Sequence, residues 1–444
     1  ICILAIILLL SCSKKGGDTQ TEPTPEPEIG FEIPATDDMV VYEVNLRAFS
    51  TSGDLQGVIN RLDHIKSLGV NVIWLMPIHP IGEINSVNSP YSVKNYKEVS
   101  AEYGSINDLK SLVEKAHNKD IAVILDWIAN HTAWDNPWIT NKDWYTQDES
   151  GNIISPEGTN WSDVADLNFE NMEMRVEMVG TMLYWIESTD IDGFRCDAAD
   201  MVPFDFWKQA IDVLNNTVDK ELIFLAEGAR TDHFSAGFDM NFSWNYYNKL
   251  KDVFHGISTP GILYAIQQQS YNNISTGKHK LRFTTNHDES AWDATPMVIF
   301  NGKKGALAAS VVTIYMGGVP LIYNGQEIGV TENIPFFSNS PIDWTLNPDI
   351  LNAYIKMFRF YSSSDVVKKG ELITYTHPSV VVFTRSLGTE KVLIIVNTRD
   401  ENITYIMPDE LVDKNWIDAI TETSITTNEE IYLTPYEYLI LKSN

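Results

Sequence analysis

From about residue 40 to residue 361, two kinds of segment with different patterns of hydrophobic and polar residues alternate along the chain. Short and almost continuous apolar runs, such as residues 70–76 and 121–128, are typical of strands buried in a parallel sheet. Longer stretches with helical spacing lie between such runs, and Ser105 is a suitable N-terminal cap for the one at residues 106–119. This alternation predicts an α/β fold with a parallel sheet.

Eight strand–helix units can be counted along this part of the chain. The predicted strands cover residues 40–49, 70–76, 121–128, 193–199, 222–226, 238–242, 281–285 and 319–323. The clearest helices are predicted over residues 55–68, 106–119, 172–187, 204–218 and 350–361, whereas the helix after the fifth strand is poorly defined. Eight units fit a (β/α)8 TIM barrel better than an open sheet.

Two further regions interrupt or follow this pattern. Residues 132–170 are rich in Trp, Asn, Asp and Gly and lack regular periodicity, which predicts an insert within a barrel spanning residues 37–366. Residues 367–444 contain short alternating stretches, among them 379–385, and these predict a small antiparallel β-domain.

The N-terminal residues read as a targeting segment. Residues 1–10 are nearly all apolar but too few to span a bilayer as a helix, and no initiator Met or basic region precedes them, so we expect the sequence to begin inside a secretory signal. Residues 9–12 resemble a bacterial lipobox, which would make residues 1–12 the signal and Cys12 the lipidated residue; the alternative is an ordinary signal with an incidental cysteine. Residues 13–36 are predicted to be a tether. The protein is then exported and lipid-anchored to the bacterial cell envelope.

Composition narrows the functional classes. The formal net charge of −28 argues against binding nucleic acid or anionic lipid through a basic surface. Only Cys12 and Cys196 would remain after signal cleavage, which leaves no disulfide framework. The 12 Trp and 19 Tyr suit stacking on sugar rings, although core packing could also use them.

The predicted fourth strand carries an unusual pair. Arg195 and Asp197 point to the same face because side chains alternate along a strand, while Cys196 points to the other. A guanidinium beside a carboxylate favours the ionised form that a carboxylate nucleophile needs. A purely structural buried ion pair is the alternative for this strand taken alone.

Further polar residues follow the ends of other predicted strands. In a barrel of this kind, catalytic groups sit at the C-terminal ends of strands, so side chains from several strands meet at one rim. The residues placed there by the third, fourth, fifth and seventh strands are Asp126, Asn130, His131, Arg195, Asp197, Glu227, His287 and Asp288.

These segments together resemble the α-amylase superfamily of retaining glycoside hydrolases over about residues 40–444. The matching segments, in family order, are DWIANH at 126–131, DLN at 166–168, GFRCD at 193–197, FLAE at 224–227, FTTNHD at 283–288 and YNGQEIG at 323–329. The resemblance implies a catalytic barrel, an inserted B domain at about 132–170 and a C-terminal β-sandwich.

The resemblance also implies roles for single residues. Asp197 matches the nucleophile, Glu227 the general acid/base and Asp288 the carboxylate that stabilises the transition state. We expect Arg195 to keep Asp197 charged, and charged neighbours to raise the pKa of Glu227. His131 and His287 match hydrogen-bonding partners of the reacting sugar.

Other matches concern the arginine, the sugar ring and a metal. Asp126 matches a structural partner of Arg195, and Tyr91 matches an aromatic platform for the sugar, although it could simply pack in its loop. Asn130 and Asp166 match positions that bind a structural calcium in many relatives. Two candidates do not make a site that needs six to eight oxygens, and Asn130 could equally cap its loop. No organic cofactor is expected.

The implied activity is hydrolysis of α-1,4-glucosidic bonds in starch or maltooligosaccharides. Many endo-acting amylases carry Lys-His where this chain has Asp200 and Met201, so the alternative of a transglycosylase or an α-1,6-acting relative stays open. Non-catalytic glucan-binding relatives form a third class, but they typically lose one or more of the three carboxylates, and all three are present here.

Overall fold

A computed structural model describes residues 30–272 and 274–443. The chain divides into residues 1–32 and residues 33–444. Of the first unit only residues 30–32 are described, without regular secondary structure, and all that follows concerns the second. Cys12, the signal and most of the predicted tether lie outside the described residues, so the lipid anchor stays a prediction. Across the described ranges, no helix is long and apolar enough to cross a membrane.

Eight parallel strands close into a barrel, as the sequence predicts. Each strand pairs with its neighbours in chain order, and the first and last strands also pair with each other. The barrel strands are β1 Val41–Val44, β2 Val72–Leu75, β3 Ala122–Ile128, β4 Gly193–Asp197, β5 Ile223–Ala226, β6 Met240–Phe242, β7 His279–Arg282 and β8 Val319–Tyr323.

Helices occupy the connections between these strands. Apolar side chains of the longer helices are buried in the main core together with side chains of the strands. The helices are α1 Leu46–Phe49, α2 Leu55–Ile59, α3 Leu62–Ser67, α4 Ile106–His117, α5 Met172–Thr189, α6 Phe204–Thr217, α7 His233–Ala236, α8 Trp244–Phe254, α9 Gly261–Tyr271, α10 His287–Trp292, α11 Pro296–Ile299, α12 Gly302–Tyr315, α13 Pro348–Ser363 and α14 Asp365–Lys369. Short 3-10 turns cover Thr36–Asp38, Pro137–Thr140, Lys142–Trp144, Gln326–Ile328 and Asp409–Leu411.

Several predicted elements are wrong in part. The seventh strand, expected over residues 281–285, covers His279–Arg282, and the fourth, expected over residues 193–199, ends at Asp197. The strand expected over residues 40–49 ends at Val44, because the Asn45 amide donates to the Asn324 side chain at 2.5 Å and the chain then turns into α1. The helix expected over residues 55–68 is broken into α2 and α3. The break lies at Arg61, whose φ is −118° and whose guanidinium lies 4.4 Å from the ring centre of Trp344.

The α4 helix shows how local sequence defines an element. The Ser105 hydroxyl accepts from the Asp108 amide while the Asp108 carboxylate accepts from the Ser105 amide, which is a capping box. Four residues of one face, Leu109, Leu112, Val113 and Ala116, are buried against the barrel. The sequence prediction of this helix and its cap is confirmed by these contacts.

The insert after β3 is held by a small antiparallel ladder. His131–Ala133 pairs with Val164–Asp166, so the chain returns to its starting point at the barrel rim. The intervening residues therefore form a wall above the strand ends.

The C-terminal region forms two antiparallel sheets. Side chains of Val382 and Ile395 from the larger sheet share a core with Tyr405 and Leu433 from the smaller one, which gives the expected sandwich arrangement. The strands are β9 Glu371–Tyr375, β10 Val380–Leu387, β11 Glu390–Asn397, β12 Ile403–Ile406, β13 Lys414–Asp418, β14 Ser424–Thr427, β15 Glu430–Leu433 and β16 Tyr438–Ser443. The larger sheet has the order β9-β10-β11-β16-β13-β14, and β12 pairs with β15.

The barrel register places the candidate site. Asp126 on β3 lies beside Arg195 on β4, and Cys196 lies beside Ala226 on β5. Glu227, one residue beyond Ala226, is therefore brought next to the end of β4.

Candidate active site

A cavity of about 690 Å³ opens at the C-terminal ends of the barrel strands and collects the three predicted catalytic carboxyls. Residues from the barrel loops and from the insert share its wall. The lining consists of Val87, Ser89, Tyr91, His131, Asn160, Trp161, Ser162, Asp163, Val164, Asp197, Ala198, Asp200, Met201, Glu227, Gly228, Trp244, Asp288, Trp292, Phe336 and Phe337.

Arg195 is the centre of this site. Its fully buried guanidinium contacts three carboxyls: Nη1 lies 2.7 Å from Asp126 and 2.9 Å from Asp197, and Nη2 lies 3.0 Å from Glu227. The indole of Trp74 lies 4.8 Å from the guanidinium. Because two of these carboxyls also line the cavity, the pair on β4 is not only a structural ion pair.

Burial and charge set the protonation of the two carboxyls that face each other. Burial raises the pKa of the Asp197 carboxyl to about 6, against the lowering effect of the Arg195 guanidinium. Burial also raises the pKa of Glu227 to about 7, with the Asp197 and Asp288 carboxylates adding to the rise. The sequence predicts that charged neighbours raise the pKa of Glu227, but desolvation is the larger cause. At neutral pH Glu227 is thus protonated to a greater extent than Asp197, as a general acid must be.

The main chain after Asp197 helps to hold Glu227. Ala198 has a φ of +43°, an unusual conformation for a residue with a side chain, and its amide donates to Glu227 Oε2 at 2.7 Å. The Glu227 amide donates to the Cys196 carbonyl at 2.9 Å. Glu227 is therefore held at the end of β4 through both its carboxyl group and its main-chain amide.

Asp288 lies at the start of α10, where the Asn286 side chain caps the helix. The neighbouring His287 is buried, with Nε2 at 3.4 Å from Asp288 Oδ2 and Nδ1 in a short contact with Glu43. Burial would lower the pKa of His287, but the Asp288 and Glu43 carboxylates outweigh it and raise the pKa to about 9. His287 is thus a cation at neutral pH.

Tyr91 connects these groups. Its hydroxyl lies 2.8 Å from His287 Nε2 and donates to Asp126 at 3.1 Å, and its ring stacks on the imidazole with an interplanar angle of 18°. His131 Nε2 lies 3.2 Å from the Tyr91 carbonyl, and burial lowers the pKa of His131 to about 4, so this imidazole is neutral. Tyr91 and His131 therefore line the cavity, whereas His287 packs against Tyr91 and is not among the lining residues.

Sequence reasoning missed several residues of the site. Glu43 is fully buried on β1 and holds His287, and a carboxylate inside an apolar strand was a signal that could have found it. The aromatic wall was also missed, including Trp161 and the T-shaped pair of Phe336 and Phe337. Trp292 is 66% exposed at the mouth of the cavity. These rings come from separate loops, so no local spacing identifies them.

The residues expected to bind calcium do not form a side-chain cage. The Asn130 amide nitrogen donates to His131 at 3.3 Å, and the Asp166 carboxyl is hydrogen-bonded to Thr146. Within residues 30–272 and 274–443, no group of three or more His, Cys, Asp or Glu side chains is arranged to hold a metal ion. Because calcium needs six to eight oxygens, these donors do not fit the ion by themselves, and calcium stays a prediction.

A closed β/α barrel with two carboxyls of different pKa facing one cavity has the equipment of a glycoside hydrolase. Comparisons with known proteins agree. A family model described as alpha amylase, catalytic domain, matches residues 34–356, and one described as maltogenic amylase, C-terminal domain, matches residues 371–440. The chain belongs to the α-amylase family of glycoside hydrolases.

Several relatives resemble the chain over most of its length. Alpha-amylase 3 of Dictyoglomus thermophilum is 25% identical, covering 93% of this chain and 95% of that protein. A cyclomaltodextrinase of Thermoanaerobacter pseudethanolicus is 25% identical, covering 88% and 71%. The crystal structure of a maltogenic α-amylase from Thermotoga neapolitana has a TM-score of 0.82 and 26% identity, covering 92% of this chain and 99% of that one.

Proposed function

We propose that the protein hydrolyses α-1,4-glucosidic bonds of starch or maltooligosaccharides with retention of configuration. The observation that carries this proposal is the single guanidinium of Arg195 shared by Asp197 and Glu227, at 2.9 Å and 3.0 Å. Retaining enzymes hold their two carboxyls roughly 5–5.5 Å apart, closer than enzymes that place a water between them. A shared guanidinium favours the closer arrangement.

In the first step Asp197 attacks the anomeric carbon of the bound glucan. A bond forms between a carboxylate oxygen of Asp197 and that carbon, while the bond to the glycosidic oxygen breaks. Glu227 gives its proton to the leaving oxygen, which departs as the hydroxyl of the released sugar. The pKa of Glu227, raised to about 7, keeps this proton available at neutral pH.

In the second step Glu227, now ionised, takes a proton from water. The water oxygen attacks the anomeric carbon from the face that the leaving group occupied, and the ester bond to Asp197 breaks. Two displacements at one carbon restore its configuration. Glu227 regains its proton and Asp197 its charge.

The remaining side chains support the charge that develops on the sugar. Asp288 supplies a carboxylate for the oxocarbenium-like transition state, and the cationic His287 supports that carboxylate with Nε2 at 3.4 Å from Asp288 Oδ2. The ring of Tyr91 offers a flat surface for the reacting sugar. The neutral His131 lines the cavity without adding charge, with Nε2 donating to the Tyr91 carbonyl and Nδ1 accepting from Asn130.

The names of the relatives support an α-glucan as the substrate but leave the bond open. Two of them are called α-amylases and one a cyclomaltodextrinase. Asp200 and Met201, which replace the Lys-His of many endo-acting enzymes, line the cavity. A transglycosylase or an α-1,6-acting enzyme with the same covalent intermediate is therefore the second candidate.

A product profile from maltoheptaose and pullulan separates these candidates. We expect maltoheptaose to be shortened, with newly formed ends that are α-configured when observed directly by NMR, and pullulan to be cut only at α-1,4 bonds. Products longer than maltoheptaose would favour the transglycosylase, and release of maltotriose from pullulan would favour α-1,6 action. If neither substrate were cleaved, and Asp197→Ala bound glucan as the wild type does, the enzymatic function would be refuted.

The pH dependence of kcat/KM should be bell-shaped. Asp197 must be ionised, so activity is lost as the pH falls through its pKa of about 6. Glu227 must be protonated, so activity is lost as the pH rises through its pKa of about 7. The maximum is therefore expected between these values. Initial rates on maltoheptaose at low substrate concentration measure the profile, and an activity that keeps rising above the Glu227 pKa would contradict the assignment of Glu227 as acid.

A further inference from the structure

The loop that follows Glu227 is held by a side chain from another strand end. Asp200, three residues beyond Asp197, accepts from the Ala229 amide at 2.9 Å through Oδ2 and from the Arg230 amide at 3.1 Å through Oδ1. Both carboxylate oxygens are thus bound to the main chain of the loop. None of these contacts was expected from the sequence, which marked Asp200 only as a departure from the usual pattern.

Arg230 returns the contact in the opposite direction. Its Nη1 donates to the carbonyls of Asp200 at 3.0 Å and Val202 at 2.9 Å, while Nε and Nη2 form a two-pronged contact with Asp232. The turn that carries Asp200 and the loop after the acid therefore hold each other by at least four hydrogen bonds.

Gly228 makes this contact close. A Cβ atom at this position would lie 2.4 Å from Asp200 Oδ1 and 2.8 Å from His233 Cε1, and the φ of Gly228 is +158°. The carbonyl of Gly228 accepts from the Phe242 amide at 3.1 Å. A side chain on the residue directly after Glu227 would thus collide with Asp200, so this close approach requires glycine.

A buried polar group supports Asp200 from behind. His233 is fully buried, with Nε2 at 3.4 Å from Asp200 Oδ1 and Nδ1 at 3.4 Å from the Asn241 amide nitrogen. Asn241 in turn accepts from the buried Lys280 at 2.7 Å. The buried His233 therefore lies against the Asp200 carboxylate on its barrel side.

We propose that Asp200 is a positioning residue that holds the main chain of residues 228–230 and, through it, keeps the Glu227 carboxyl aligned with the leaving oxygen. This proposal rests on the proposed role of Glu227 as general acid. It gives Asp200 a task besides any contact with the sugar, because each of its oxygens accepts from a loop amide while the side chain lines the cavity.

Substrates that differ in their need for an acid test the proposal. Cleavage of maltoheptaose requires protonation of a poor leaving group. The fluoride ion of maltosyl fluoride, in contrast, departs with little assistance from an acid. For Asp200→Ala and the equally sized Asp200→Asn, we expect kcat on maltoheptaose to fall about 10²-fold with KM nearly unchanged, since a small displacement of a catalytic group costs about that much. The kcat/KM on maltosyl fluoride should fall less than about fivefold.

Asp205→Asn is the matched control, because Asp205 at the start of α6 binds Arg175 at 2.7 Å but none of the loop amides that Asp200 binds. We expect it to behave like the wild type on both substrates. Equal losses on both substrates in the Asp200 variants, a raised KM with unchanged kcat, or thermal unfolding of both variants below the assay temperature would overturn the proposal. Inactivity of the wild type on maltoheptaose would instead refute the proposed function itself.

Discussion

Replacing Asp197 with alanine is expected to lower kcat on maltoheptaose by about 10⁴-fold or more, the scale seen when a catalytic nucleophile is removed. Without a carboxylate at the end of β4, no covalent glycosyl-enzyme can form. Glu227 can then assist only a slow direct attack by water. Release of reducing ends at saturating maltoheptaose measures the loss.

The variant should still fold and bind glucan. Arg195 keeps its contacts with Asp126 at 2.7 Å and with Glu227 at 3.0 Å, so its buried charge retains two partners. Isothermal titration with maltoheptaose and a thermal unfolding curve test this expectation. Asp163→Asn is the control, since Asp163 also lines the cavity but is not among the three carboxyls that Arg195 contacts.

Azide gives Asp197→Ala a second readout. The anion fits the space left by the carboxylate and attacks the anomeric carbon from the same face, so the product should be β-configured maltosyl azide. This requires maltosyl fluoride as the substrate, which is α-configured and needs little acid assistance. A variant with more than about 1% of wild-type turnover on maltoheptaose would contradict the role of Asp197.

The fold could be predicted from the sequence because its signals are local. Each buried parallel strand is a short apolar run, as at residues 70–76, and the capping box at Ser105 marks a helix start. The errors after Val44 and at Arg61 arose where a distant residue decides the conformation. Asn324 turns the chain after Val44, and Trp344 receives the guanidinium at the break between α2 and α3.

In the site, too, local sequence predicts some contacts and not others. The alternation of side chains predicts that Arg195 and Asp197 share a face, and the structure shows them paired. The contacts of Glu43 with His287 and of Asp200 with the loop amides join residues far apart in sequence. Spacing carries no information about such contacts, and the left-handed conformation of Ala198 has no signal in its residue type.

Burial corrects the electrostatic prediction in a way that matters for chemistry. If only charged neighbours are considered, the Arg195 guanidinium is the main influence on the pKa values of Asp197 and Glu227. Desolvation raises the pKa of both carboxyls, to about 7 for Glu227 and about 6 for Asp197. The acid therefore has the higher pKa and the nucleophile the lower one, as the mechanism requires. How deeply a group is buried becomes visible only in the folded chain.

Replacing Glu227 with alanine is expected to separate the two chemical steps. The kcat/KM on maltoheptaose should fall by about 10³-fold to 10⁴-fold, because the leaving oxygen is no longer protonated. On maltosyl fluoride kcat/KM should change little, since fluoride needs little help, but kcat should fall because no base activates water for the second step. The glycosyl-enzyme on Asp197 should then accumulate and be detectable by mass spectrometry of the intact protein.

Azide distinguishes this variant from Asp197→Ala. It needs no base, so it should restore kcat on maltosyl fluoride, and it attacks the glycosyl-enzyme from the face opposite Asp197 to give α-configured maltosyl azide. Glu289→Gln is the control. Glu289 is also a glutamate near the barrel rim, on α10, but its carboxylate accepts from Tyr247 at 2.9 Å and does not line the cavity. Equal losses on both substrates would contradict the assignment of Glu227 as the group that protonates the leaving oxygen. A β-configured azide from the Glu227 variant would contradict an intermediate on Asp197, because it requires direct displacement of fluoride.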